Sequence, residues 1–257
     1  MPVCLVYLVI AKHMEPEISV VVPLHDEGPN IAPLVRQIFS ALQHESRGIE
    51  VILVDDGSGD DTWDRILEVW GADSRVRALH HPRRSGQSAA LWTGFKASRA
   101  GLILTLDGDL QNDPADLPRL LAELTHCDLV CGVRVERRDN GIRRFSSYVA
   151  RLARKLVLRA DFRDTGCNLR AFKRSVLETI PPFNGFHRFM PVLAQGAGAT
   201  VKEIPVAHHP RTAGKTNYGV WNRLGRGIYD LIMVRWYLNR QLKVVPTFEE
   251  PREEPPR

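Results

Sequence analysis

The sequence is poor in the features that staple a fold or span a bilayer. It has only four cysteines in 257 residues, at positions 4, 127, 131 and 167, with no Cys-x-x-Cys pair and no histidines at a zinc-finger spacing. Neither a disulfide framework nor a zinc knuckle is expected, and the thiols should be reduced and mostly buried. No apolar run near the start approaches the roughly 18 residues of a spanning helix. The longest one, Val3 to Ala11, also lacks a basic flank and a small-residue cleavage site. No signal peptide is read, and residues 1–16 are expected to be a leader outside the fold, with a weak membrane-touching segment as the alternative. Aromatic residues are 7%, charged residues 25% and hydrophobic residues 44%. Those values exclude collagen-like, low-complexity and wholly disordered chains and leave apolar side chains for one substantial core.

What is there is unevenly charged. The net charge is +5, yet from Arg134 to Arg163 ten basic residues stand against three acidic ones, a local +7 that leaves the rest near −2. So dense a stretch suits a phosphate-bearing partner: nucleic acid, an anionic membrane face or a phosphorylated substrate. A solvated helix face is the plain alternative.

The first half alternates short apolar runs with amphipathic segments, the pattern of βαβ units carrying a parallel sheet. Ile18–Val22, Val51–Val54, Val76–Leu79, Leu102–Leu106 and Asp128–Val133 read as strands. Between the first two, Ile31, Leu34, Val35, Ile38 and Leu42 fall at helical spacing, and Trp63, Ile66, Leu67 and Trp70 form one stripe of a second helix. Asp113-Pro114-Ala115-Asp116 is a helix start, with an N-cap acid and a proline at the first position, after which Leu117, Leu120, Leu121 and Leu124 should face the core. Phe145, Val149, Leu152 and Leu156, with arginines displaced around the axis, mark a basic amphipathic helix. Trp221 to Leu238 is more apolar but interrupted by arginines, so an interfacial helix or burial against the core fits better than a span. Residues 241–257 should be a disordered tail.

Ligands of open parallel sheets bind at the carboxyl ends of strands. Four ends carry polar residues: 23–27, 55–58, 80–86 and Asp107-Gly108-Asp109. In extended backbone, residues two apart project to one side, so Asp107 and Asp109 can converge on one cation while Gly108 clears the approach. Hard oxygen donors without soft ones suit Mg²⁺ or Mn²⁺, which keep positions open for water and phosphates.

Six stretches in order carry a resemblance: VVPLHDE (21–27), VDDGSGDDT (54–62), GQSAALWTG (86–94), LDGDLQNDP (106–114), DTGCNLR (164–170) and RTAGKTNYG (211–219). Together they resemble the family 2 glycosyltransferases of GT-A fold, in particular the polyprenyl-phosphate glycosyltransferases of the dolichol-phosphate mannose synthase type. The resemblance implies an α/β fold, a Rossmann-like, mostly parallel sheet flanked by helices. It comes with C-terminal amphipathic interface helices and no transmembrane helix. Residues 17–240 would be one domain, with a nucleotide-sugar half (17–133) and an acceptor half (134–240). Pro23, Glu27, Asp56, Gly86, Gln87, Asp107 and Arg211 would bind the nucleotide sugar, and Asp107, Asp109 and Gln111 would hold the metal. Arg134, Arg143 and Ser147 would bind the acceptor's phosphate. Asp107, Asp109 and Asp164 would be the catalytic acids, with Asp164 favoured as an orienting group over a general base. Cys167 is read as a packed thiol, and His208 and His209 as polar strand-end residues.

The sequence departs from the family at His25, where Tyr or Phe is usual, at Asp26 for Asn, and at Thr216-Asn217-Tyr218 for Ser-Lys-Tyr. The first two leave the donor base open and the third leaves no lysine at that position. The implied activity is inverting transfer from a UDP- or GDP-sugar to a polyprenyl phosphate, using Mg²⁺ or Mn²⁺. The enzyme would be peripheral on the cytoplasmic face of a membrane, with no nucleic-acid partner. A hydroxyl acceptor on the same fold is the alternative, and a non-catalytic phosphate-binding or membrane-binding module a more distant one.

Overall fold

The computed structural model describes residues 15–135, 155–210 and 220–241. The leader, most of the basic stretch and the tail lie outside the described residues. The spine is a seven-stranded sheet in the order β3-β2-β1-β4-β6-β5-β7. Its strands are β1 (Ile18–Leu24), β2 (Ile49–Asp55), β3 (Val76–His80), β4 (Leu102–Thr105), β5 (Leu129–Arg134), β6 (Arg170–Lys173) and β7 (Val201–Val206). The first four run parallel, as does the β5–β7 pair. Between these two groups, β6 is antiparallel to both β4 and β5. The mostly parallel sheet matches expectation. The added strand, Arg-Ala-Phe-Lys, is too short and too basic to read as one, and it exists because ladders hold it on both sides.

Every residue of β1 is buried, as in a strand covered on both faces. Its alternating side chains feed two cores. Val20 and Val22 pack with Leu34 and Ile38 of α1 (Ile31–Ala41) and Leu117, Leu120 and Leu121 of α4 (Leu117–Glu123). Val21 packs on the other face with Leu91 and Phe95 of α3 (Gln87–Ala97) and Phe186 and Leu193 of α6 (Phe186–Gly196). Pro23 is tolerated in this central strand because the β4 ladder has already ended at Val21↔Thr105, so its missing N–H costs no bond there. Asp113 does cap a helix start, its side chain accepting from Ala115 N at 2.9 Å, although the first turn is 3₁₀ before α4 begins. All four leucines predicted to follow it are buried.

The stripe on α2 (Thr62–Ala72) is only partly right. Ile66 is fully buried and Trp63 packs tilted against His80 at 4.9 Å, but Leu67 and Trp70 face solvent at 37% and 53% exposure. The helix flanks the β3 edge of the sheet, and it is Trp63, Ile66 and Val69 that it turns to the core. After α5 (Ser175–Thr179) and α6, the long α7 (Val220–Arg240) packs one face on the core, the second of the two readings offered for it. Val234 is buried and Leu231, Tyr237 and Leu238 pack on the core, while Tyr229, Ile232, Met233 and Trp236 form an exposed stripe on another face. Leu156, at the end of the basic amphipathic segment, is also exposed. Among the described residues no helix is long and apolar enough to cross a membrane.

Candidate active site at the carboxyl ends of the strands

In-register pairing of Leu24 with Asp55 and of Asp55 with His80 brings the ends of β1, β2 and β3 level. From β4 the chain continues through Leu106 to Gly108 beside Leu24. A Cβ on Gly108 would lie 2.2 Å from Leu24 Cδ2. The glycine thus serves the packing of the loop on β1, which replaces the expectation that it clears the way for a cation.

Asp107 is half-buried beyond that strand end, and its Oδ1 accepts from Gln87 Nε2 at 2.8 Å and Asn168 Nδ2 at 3.0 Å. Asp109 Oδ1 accepts from Gln111 N at 3.2 Å, in a turn closed by Leu110 at φ 58°. Gln111 Nε2 donates to His209 O at 3.3 Å. In each of the three side chains one atom is tied to the protein. No described residue hydrogen-bonds the partner oxygens, Asp107 Oδ2, Asp109 Oδ2 and Gln111 Oε1. Desolvation, and then the neighbouring Asp109, push the Asp107 carboxyl up to about 6. Two repelling acids and an amide oxygen fit a hard divalent ion that takes its remaining ligands from water and phosphate, although no group of three or more His, Cys, Asp or Glu gathers among the described residues.

Around this centre most other carboxylates are already engaged. Asp56 Oδ1 accepts from Ser85 N at 2.8 Å and Oδ2 from Gly86 N at 2.7 Å, with His81 Nδ1 3.0 Å away. The loop through Ser85 is thereby tied to the end of β2, and Gly86 at φ 96° leads it into α3. Asp55 is fully buried against Ser58 and His80. Glu27 is buried, with Oε2 accepting from Asn30 at 2.6 Å and its N–H donating to Thr62 Oγ1 at 2.8 Å. The departures at 25 and 26 have a local role: Asp26 accepts from Gly59 N at 2.9 Å and contacts His25 at 3.5 Å, lacing the first strand end to the second.

On the other side Arg134, the last residue of β5, grips Asp164 in a fork, Nε to Oδ2 at 2.6 Å and Nη2 to Oδ1 at 2.8 Å. Gly166 N also donates to Asp164 Oδ1, at 3.2 Å. Asp164 is therefore saturated as an acceptor. Cys167 is a buried free thiol pushed up to about 11, in keeping with packing rather than nucleophilic chemistry. Arg143, Ser147 and Arg211 lie outside the described residues. His209 does more than end a strand: its backbone pairs with Gln111, N to O at 2.8 Å, and its ring meets Asp113 at 3.1 Å.

Two neighbours of Asp107 were given no role by the sequence reading, and a third gains a contact. Asn168 sits inside a quoted motif but had no role. Gln87, expected at the nucleotide sugar, also donates its amide to Asp107. Arg170 is 1% exposed, donates to Thr165 O at 2.9 Å and to His187 O, and exerts a lowering field on Asp107. In the sequence the only signal for Asn168 and Arg170 was their place in the DTGCNLR stretch.

The glycosyl transferase family 2 model matches residues 19–180. The chain belongs to that family. Within family 2 it is 34% identical over 228 residues to a dodecaprenyl-phosphate galacturonate synthase of Rhizobium johnstonii, covering 86% of this chain and 67% of that one. It is 36% identical over 217 residues to an undecaprenyl-phosphate 4-deoxy-4-formamido-L-arabinose transferase of Pseudomonas aeruginosa, covering 84% of this chain and 64% of that one. The chain thus spans about two thirds of the length of these relatives. Among solved structures, glucosyl-3-phosphoglycerate synthase of Mycobacterium tuberculosis, crystallised with Mn²⁺, UDP-glucose and phosphoglyceric acid, superposes at a TM-score of 0.62. At 21% identity over 86% of this chain and 79% of that one, this establishes the shared GT-A-like fold.

Proposed function

We propose that the chain is an inverting glycosyltransferase that moves a sugar from a nucleoside-diphosphate sugar to a polyprenyl phosphate. The observation that carries this is that Asp107, Asp109 and Gln111, just beyond the carboxyl end of the central strand β4 in a family 2 chain, each keep one oxygen without a hydrogen bond from the described residues. The polyprenyl-phosphate acceptors named for the two relatives support the acceptor class. A bound Mg²⁺ or Mn²⁺ supplies charge stabilisation to the departing nucleoside diphosphate.

The chain's own residues do the rest. Pro23, Glu27, Asp56, Gly86 and Gln87 shape the donor side, and Arg211 binds the same diphosphate. Arg134, Arg143 and Ser147 take the acceptor phosphate with charge-assisted bonds. That phosphate has a second pKa near ~6 and is largely dianionic at neutral pH, so no general base is needed. The forked Arg134–Asp164 pair supports an orienting role for Asp164 and counts against the hydroxyl-acceptor reading, which requires a free base there. A single displacement gives a β-linked product from an α-linked donor.

Residues 17–240 act as one unit with a donor half and an acceptor half. The stripe of Tyr229, Ile232, Met233 and Trp236 rests on the cytoplasmic face of the membrane that holds the lipid. The test is incubation with Mn²⁺, a panel of UDP- and GDP-sugars and a short polyprenyl phosphate, with lipid products read by mass. A polyprenyl phosphosugar of the expected mass supports the reading, and the absence of any lipid product across the donor panel overturns it.

A further inference from the structure

The geometry points to Asn168 and Gln87 as positioning residues that together fix Asp107 with Oδ1 turned to the protein and Oδ2 turned to the metal. This rests on the proposed role of Asp107 as a metal ligand.

The two amides come from opposite sides of the site. Gln87 is the first residue of α3, directly after the loop that Asp56 ties to β2 through Ser85 and Gly86. Asn168 precedes β6 on the acceptor side, is 4% exposed, and is itself anchored because its carbonyl accepts from Thr105 Oγ1 at 2.6 Å. Thr105 is the last residue of β4, two before Asp107. The Asn168 amide is thus referenced to the same strand whose end it restrains.

Both donors reach the same oxygen, at 2.8 and 3.0 Å. A carboxylate oxygen that accepts two N–H groups has little capacity left for a cation, so the pair selects one-oxygen ligation through Oδ2. Partners of this kind orient metal ligands and typically matter by 10- to 100-fold in affinity. The two donors differ in kind. Asn168 is buried and rigid, whereas the Gln87 amide is exposed and competes with water. Asn168 should therefore carry the larger share.

The experiment is Mn²⁺ titration of the 257-residue chain without nucleotide sugar, following free Mn²⁺ by electron paramagnetic resonance, for wild type, Asp107→Asn, Asn168→Ala and Gln87→Ala. Thermal unfolding of each without metal serves as the folding check. Asn168→Ala should weaken Mn²⁺ binding by about tenfold and Gln87→Ala by about two- to threefold, and both should broaden the bound-Mn²⁺ spectrum. Asp107→Asn should weaken it most. Should Asp107→Asn weaken binding while both amide variants bind as wild type, the positioning roles are wrong and the metal site stands. Should Asp107→Asn bind Mn²⁺ as wild type does, the metal reading itself falls. Should Asn168→Ala not fold, Gln87→Ala decides alone, and wild-type affinity and spectrum there overturn the proposal.

Discussion

Asp107 and Asp164 flank one site and live in opposite surroundings. Asp164 is held by both arms of the Arg134 fork and by backbone N–H groups. Asp107 faces a second acid, keeps one oxygen without a hydrogen bond from the described residues, and is pushed up to about 6. The same residue type is thus a finished structural contact in one region and an unfinished one in the other. A carboxylate that the fold satisfies stabilises the fold; one that it leaves short of positive charge recruits charge from outside.

The contrast can be broken by mutation. Asp107→Ala or Asp109→Ala should lower turnover by about 10³-fold, the several kcal/mol a metal contributes to a charged leaving group. The metal-free melting temperature should stay level or rise, because one of two repelling acids is gone. Asp164→Asn should do the reverse, costing about 3 kcal/mol in urea unfolding by leaving Arg134 without its partner, with turnover down only about tenfold. A loss near 10⁴-fold with stability intact would make Asp164 a base.

Acidity sharpens the comparison further. The folded-state pKa of Asp107 is raised, so its destabilising effect is present above about 6 and is relieved as pH falls toward 4. In metal-free protein Asp107→Asn should remove about 1 to 2 kcal/mol of that pH dependence, read from unfolding curves between pH 7 and 4. His187 bonds Ser88 at 2.9 Å, and burial and then Arg170 hold it down at about 3. Its sign is opposite: it favours the fold above the unfolded-state value and that stability is lost as pH falls. His187→Gln should soften acid unfolding by about 1 kcal/mol at pH 5.5, with the His187 ring staying neutral in an NMR titration to that pH.

Much of this was legible in the sequence because it is local. The β-branched runs of β1 and β2, the cap at Asp113 and the two acids two residues apart all express their roles within a few positions. What the sequence hid is held together over distance. The Arg134–Asp164 fork joins residues thirty apart, and Asn168 reaches Asp107 across the antiparallel β6, a strand with no signature of its own. Leu67 and Trp70 were misleading for a related reason: helical spacing says which residues share a face, not how wide a core that face will meet.

The most direct test of the account is transfer by wild type and an Asp107→Ala/Asp109→Ala double variant, each assayed in chelator and again with Mn²⁺ restored. Wild type should be silent in chelator and active with Mn²⁺, and the double variant silent in both. Product formed by the double variant in chelator would contradict the claim that these two acids work through a divalent ion.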